Sequence, residues 1–448
     1  MISPINLSIN HYREQLAYDD GEIQIQYGSL ETAIAESPIM QLTNIDFGDY
    51  IVWSPKNDFA SFLTFWTLQH RGCVACPISS RISDTKRQEM ADQINAKWLK
   101  SILHNRNKVR RKFVNSQTTD DPTPPATLIF SSGSTGQPKA IVHSMSAHIA
   151  SATGAAKNIP LKSGDRWLWS LPLYHISGLS ILIRCAAVGA TVVGLPVDQE
   201  LNADALDELK ITHLSVVTTQ LRRLLTEKAF PSQHLCTVLL GGNSIDPKLV
   251  EEARNRGIDV RTTYGLSEMA SQVTTSTADG TPKASGKLLE NRQLQISSSG
   301  EILLRGETLA LGYVQNGDIQ PLTNEKGWFQ TNDIGTLNEN SELIISGRID
   351  NMFISGGENI HPENIERAMT TLFNIEQVIV VPSPDKEFGS RPVAFVDGAL
   401  PADWKSRTMQ LLPKYELPIK IYPWPSGTET QIKPDRTHFQ RLISDKNQ

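Results

Sequence analysis

Apolar runs of four to seven residues alternate with longer amphipathic stretches over most of the chain. Tyr50–Trp53, Cys73–Pro77, Thr127–Phe130, Thr191–Leu195, Ile211–Val217, Thr237–Leu240 and Asp259–Thr263 read as strands buried on both faces. Between them, Phe59–His70, Thr85–Ala96, Gly178–Gly189 and Pro247–Arg256 carry helix-compatible patterns. Asp246 and Pro247 form an N-cap and first-turn pair for the last of these. Strands alternating with helices predict parallel sheets covered on both faces. Ligands in such sheets gather beyond the carboxyl ends of the strands. Three glycine-bearing segments fall there: Ser131–Lys139, Gly241–Gly242 and Tyr264–Gly265.

From about Gly300 the rhythm changes. Glu301–Arg305 and Glu342–Ser346 look like antiparallel strands around turns. Asn351 onward carries a separate small pattern: helix Pro362–Leu372, strands Gln377–Val381 and Val393–Val396, and helix Asp403–Leu412. About a hundred residues suffice for an independent domain. The predicted class is α/β, with a large N-terminal domain (1–347) of doubly wound sheets plus a β-rich part, and a small α+β C-terminal domain (348–448).

The chain has 448 residues, 39% hydrophobic and 20% charged, which describes a globular protein of more than one domain. A net charge of -5 argues against nucleic acid as the main partner. The basic cluster Lys108–Lys112 reads as a solvated face. The first residues lack the pattern of a signal peptide. The apolar window Leu179–Val197 is interrupted by Arg184, Gly189, Gly194 and Pro196, so helix followed by strand is expected there, and no membrane span. Cys73 and Cys76 form a lone C-x-x-C, and a strand would send them to opposite faces as core residues. A reducing, cytoplasmic compartment is expected.

Phe130–Lys139 is the most informative stretch. Ser131, Ser132, Gly133, Ser134, Thr135 and Gly136 offer hydroxyls and unobstructed backbone N–H groups to an anion, and Lys139 adds a positive charge. A proline before the lysine and an alanine after it exclude a Walker A loop. By itself the stretch also fits a flexible linker.

Four further motifs follow in order: Tyr264–Glu268, Gly327–Asp333, Gly347–Asp350 and Ser355–Ile360. The five together resemble the adenylate-forming superfamily of acyl- and aryl-CoA ligases, firefly luciferase and peptide-synthetase adenylation domains, from about residue 48 to 436. The resemblance implies ATP, Mg²⁺ and coenzyme A as reaction partners. It assigns residues 131–139 to the β- and γ-phosphates, Ser267 to the α-phosphate and Glu268 to Mg²⁺. Tyr264, with Gly265 and Gly241–Gly242, would face adenine, and Asp333 would take the ribose hydroxyls with Arg348 nearby. A plain salt bridge at a domain edge is the other reading of Asp333 and Arg348. The catalytic lysine falls at Lys433, with Ile432 in place of the family's glycine; Lys414 and Lys420 sit too early. Asp350 matches the hinge that makes the small domain mobile, and Ser355, Gly356 and Gly357 match the loop on the coenzyme A side.

Leu171–Ser180, Thr212–Leu221, Tyr264–Thr274 and Pro77–Arg81 resemble the o-succinylbenzoate–CoA ligases of menaquinone and phylloquinone biosynthesis. The resemblance implies an aromatic acid substrate contacted by His175, Ser177, Arg184 and Thr219. Arg184 interrupts an apolar helix and needs a carboxylate partner, which the second carboxylate of o-succinylbenzoate would provide. Snorkelling to the surface or an internal ion pair are the other readings of Arg184. His175 reads either as a gate for the entering acid or as an interior histidine. Another aryl-CoA ligase, or an acyl-binding protein without turnover, remains open, as does monomer against homodimer.

Overall fold

The computed structural model describes residues 4–99, 123–131, 138–196, 199–242, 245–315, 317–375, 377–425 and 436–446. Two mixed sheets form the large part of the molecule, one of nine strands and one of seven. The inner strands are largely apolar because they feed two cores. Val192 belongs to one buried cluster and Val193 to another; Trp167 and Leu168, and Leu239 and Leu240, divide in the same way. In the second sheet Ile51 and Val52, and Ala75 and Cys76, do likewise. The shared cluster is filled by the helices Phe59–His70, Met145–Ala156 and Ile176–Val188, which therefore lie between the sheets. This is the doubly wound arrangement the alternation predicts.

The strands Tyr50–Trp53 and Thr237–Leu240 and the helices Phe59–His70 and Pro247–Asn255 form where the pattern places them. Asp246 caps the latter helix, accepting from the Lys248 amide at 3.0 Å. The Leu179–Val197 window divides into the end of the helix Ile176–Val188 and the strand Thr191–Val193, with Gly189 left-handed between them. No helix among the described residues is long and apolar enough to cross a membrane. Cys73 and Cys76 are buried in different clusters, and all four cysteines are free.

The structure departs from the sequence pattern in three places. Lys139–Ser144, which the apolar pattern leaves unassigned, is a strand paired antiparallel with Pro125–Ser131, and the helix Met145–Ala156 follows it. The strand Val260–Leu266 runs through Tyr264 and Gly265, because its partners switch: parallel to Thr237–Leu240 first, then antiparallel to Ser271–Thr275. The helix at 403–412 shrinks to Trp404–Thr408, with Met409 and Leu411 exposed beyond it and Leu412 reaching the core from outside the helix. The N-terminal residues, outside the recognised motifs, also matter: Ile5, Ile9, Tyr18, Tyr27 and Leu30 complete the shared core.

A four-stranded antiparallel sheet contains Phe329–Leu337 beside Leu343–Arg348. Beyond it, a three-stranded sheet is covered by Pro362–Phe373 on one face and Arg436–Lys446 on the other. Val378 and Val380 pack toward the first helix, Ile379 and Val381 toward the second. Half-buried Glu366 joins the two helices, accepting from Arg436 at 2.6 Å and from the Val380 amide at 2.7 Å.

Candidate active site

The segment Tyr264–Gln272 is the hub. It leaves the nine-stranded sheet through a bulge at Tyr264 and Gly265, makes a 3₁₀ turn at Ser267–Met269, and re-enters through Ala270 and Ser271. Both of these residues hold positive φ (50° and 109°) without being glycine. Such backbone persists only where neighbours hold it. Here they do: the Ser151 hydroxyl donates to the Ala270 carbonyl at 2.7 Å, and Arg292 Nε to the Gln272 carbonyl at 2.6 Å. His143 Nε2 lies 2.6 Å from the Ser267 carbonyl and, carrying its proton there, fixes the turn. Burial lowers the His143 imidazole to about 4, so it is neutral.

One end of the hub meets the expected ribose site. The Tyr264 phenol donates to Asp333 Oδ2 at 2.6 Å, and Arg348 Nη1 to Asp333 Oδ1 at 2.8 Å. The β-ladder makes this pair, since Asp333 and Arg348 are direct cross-strand partners. Arg348 also grips Asp350 through Nε and Nη2, at 2.8 and 2.9 Å. The salt bridge therefore exists, and it runs on to the residue matched to the hinge. Burial, then the Asp333 charge, push the Tyr264 phenol well above its usual range.

In the middle of the hub, Glu268 Oε1 accepts from the Tyr313 phenol at 2.9 Å. The Tyr313 ring also lies under the Lys139 ammonium, 5.2 Å from Nζ to the centroid. Lys139 stands directly across the hairpin from Ser131. Ser132, Gly133, Ser134, Thr135, Gly136 and Lys433 lie outside the described residues. Among those described, no group of three or more His, Cys, Asp or Glu forms a metal cage. Mg²⁺ seldom uses one: one or two carboxylates plus substrate phosphates are its usual ligands, and the single Glu268 carboxylate, linked through Tyr313 to Lys139, fits. Tyr313 escaped the sequence reading because a tyrosine in a short strand is an ordinary β-former.

At the far end of the hub, Arg184 Nη2 donates to Ser271 Oγ at 3.2 Å. Its guanidinium lies 5.3 Å over the Trp167 ring, and the residue is 4% exposed. It neither snorkels nor makes an ion pair with any described residue, and its Nε has no hydrogen-bond partner among them. Burial lowers it to about 10, and Arg292 nearby adds a second positive charge. Arg184 and Trp167 wall a cavity of about 50 Å³ with Ala152, Ile159, Leu161 and Ala187. Ser177 and Thr219 are half-buried in the first turns of their helices. His175 is exposed and meets Tyr174 edge-on at 4.8 Å, so it is not an interior histidine.

Gly241 follows its strand so closely that a Cβ would stand 2.7 Å from Thr263 Cγ2. The glycine thus serves strand packing as well as any ligand. Ser355 is buried, whereas Gly356 (φ 58°) and Gly357 (φ 90°) are exposed and left-handed, the first donating to the Phe388 carbonyl at 3.0 Å. These are the conformations glycine adopts freely.

The AMP-binding enzyme family matches residues 67–314. The 2-succinylbenzoate–CoA ligase of Haemophilus influenzae is 40% identical over 337 residues, 72% of this chain and 72% of its own. That of Salmonella typhimurium is 34% identical over 414 residues, 88% of each chain. Among solved structures, a variant of E. coli MenE with bound OSB-AMS superposes with a TM-score of 0.83 at 29% identity, over 98% of both chains. The chain belongs to the AMP-binding enzyme family and, within it, to the 2-succinylbenzoate–CoA ligases.

Proposed function

We propose that this enzyme activates o-succinylbenzoate with ATP and passes the acyl group to coenzyme A, a step of menaquinone synthesis. A substrate carboxylate oxygen attacks the α-phosphorus, and the bond to pyrophosphate breaks. The coenzyme A thiol then attacks the acyl carbon, giving up its proton, and AMP leaves. Such transfers depend on positioning and charge neutralisation. Ser131, the loop 132–136 and Lys139 hold the β- and γ-phosphates, and Ser267 the α-phosphate. Tyr264 takes adenine beside Gly241, Gly242 and Gly265, and Asp333 takes the ribose. Glu268 would hold Mg²⁺, which would supply neutralisation of the phosphate charge. Lys433 meets the charge that develops on the transferring oxygens. Rotation of the small domain (348–448) about Asp350 exchanges Lys433 for Ser355–Gly357, and coenzyme A enters along that loop.

The observation that carries the substrate assignment is Arg184: a buried cation with no ion-pair partner among the described residues, aimed at Ser271. An unpaired buried charge is unfavourable, and a substrate carboxylate relieves it. The succinyl carboxylate is activated, leaving the ring carboxylate for Arg184, with His175, Ser177 and Thr219 along the pocket. Four free cysteines support a reducing cytoplasm as the working compartment. Monomer and homodimer are both compatible with this reading.

The test is a thioester assay with ATP, Mg²⁺ and coenzyme A over o-succinylbenzoate, benzoate, 4-chlorobenzoate and a medium-chain fatty acid. Turnover confined to o-succinylbenzoate supports the proposal. Turnover of the monocarboxylates overturns the role of Arg184, and ATP binding without turnover of any acid overturns the enzymatic reading.

A further inference from the structure

Tyr313 lies outside every recognised motif, yet it touches two of the residues on which the phosphate end of the site depends. Its strand, Gly312–Gln315, pairs antiparallel with Lys139–Ser144, with Tyr313 opposite Ile141. Lys139 is two residues from Ile141 and so projects on the same face of the sheet as that position. This register puts the ring beneath the Lys139 ammonium at 5.2 Å. This strand and the residue two positions before it grip the hub twice. The Ala310 amide donates to the Glu268 carbonyl at 2.8 Å, and the Tyr313 phenol to Glu268 Oε1 at 2.9 Å. Glu268 Oε2 has no hydrogen-bond partner among the described residues.

We infer that Tyr313 is a positioning residue that sets the magnesium dependence of ATP binding: its phenol holds Glu268 by one carboxylate oxygen, leaving the other for the cation, while its ring beds Lys139. The inference rests on Glu268 being the metal-binding carboxylate. A flexible glutamate loses side-chain freedom when it binds a cation, and a partner that has already ordered it removes part of that loss. The ring sits between a carboxylate and an ammonium, and without the ring Glu268 is free to turn toward Lys139 and neutralise it. Tyr313 thereby keeps two opposite charges apart, one for the cation and one for the phosphates.

The test is ATP binding by isothermal titration calorimetry at a series of Mg²⁺ concentrations, for the unaltered enzyme, Tyr313→Phe, Tyr313→Ala and Glu268→Gln, each checked by its thermal unfolding midpoint. Tyr313→Phe keeps the ring over Lys139, so metal-free ATP binding stays unchanged. The Mg²⁺ concentration giving half the metal-dependent gain in affinity rises about tenfold, the scale of one hydrogen bond to a charged group. Tyr313→Ala adds a loss of metal-free affinity, and Glu268→Gln abolishes most of the metal dependence. A normal Mg²⁺ titration in Tyr313→Phe beside a defective one in Glu268→Gln overturns the positioning role alone. A normal titration in Glu268→Gln overturns the metal assignment and the inference with it.

Discussion

Arg184 lays its guanidinium over the Trp167 ring at 5.3 Å while donating to Ser271 Oγ at 3.2 Å. The aromatic face and a single hydroxyl hold a buried cation in place without neutralising it. That leaves a binding direction open for a carboxylate.

Arg184→Met is therefore expected to raise KM for o-succinylbenzoate by about two orders of magnitude, the ~3 kcal/mol scale of a broken buried ion pair. KM for ATP should hold. Steady-state kinetics with each substrate varied in turn measures both, and an equal rise in the two constants would mean a general collapse of the site.

Asp333→Asn should weaken ATP binding about tenfold, because an amide keeps the shape but loses the charge facing Arg348 and the ribose. Tyr264→Phe removes the donor to the other oxygen. The two substitutions should be non-additive in a double-mutant cycle on ATP affinity, with a coupling on the order of 1 kcal/mol. Strict additivity would show that the hydrogen bond does not organise the ribose site.

Stability should fall with acid through buried histidine. His143 is neutral in the fold, lowered to about 4 by burial, whereas an unfolded histidine titrates near 6.5. Between those values the unfolded chain binds more protons, so its contribution is present above about pH 6.5 and is lost as pH falls toward 4. For His143 this amounts to about 2 kcal/mol between pH 7 and 5. Urea unfolding at the two pH values, compared with His143→Asn, checks it: the variant should lose less stability than the parent.

Lys433→Ala should slow adenylation by about a hundredfold or more, the scale of one lost electrostatic donor. The same variant, given preformed acyl-adenylate and coenzyme A, should make thioester at the normal rate if rotation about Asp350 withdraws the lysine first. Single-turnover measurements of the two half-reactions separate the steps. Slowing of both would contradict a role confined to the first.

Much of the fold was readable along the chain because its strands are buried on both faces. Tyr50–Trp53 and Thr237–Leu240 are unbroken apolar runs, since adjacent residues feed different cores. Asp246 and Pro247 mark a helix start by local chemistry alone. The strand Lys139–Ser144 was not visible in this way, because Lys139, His143 and Ser144 break its pattern. His143 belongs there only because the Ser267 carbonyl, 124 positions away in sequence, accepts from it.

The sequence by itself determined the class of chemistry. Motif order, glycine positions and one arginine in an apolar helix are local properties, and local properties survive without a structure. Only the tertiary structure decided what those residues meet. The cross-strand register joins Asp333 to Arg348, the path of a strand puts Tyr313 against Glu268 and Lys139, and the packing of a helix against Trp167 leaves Arg184 without an ion-pair partner among the described residues. Contacts between residues far apart in sequence depend on how the sheets close, and no single stretch of the chain encodes that closure.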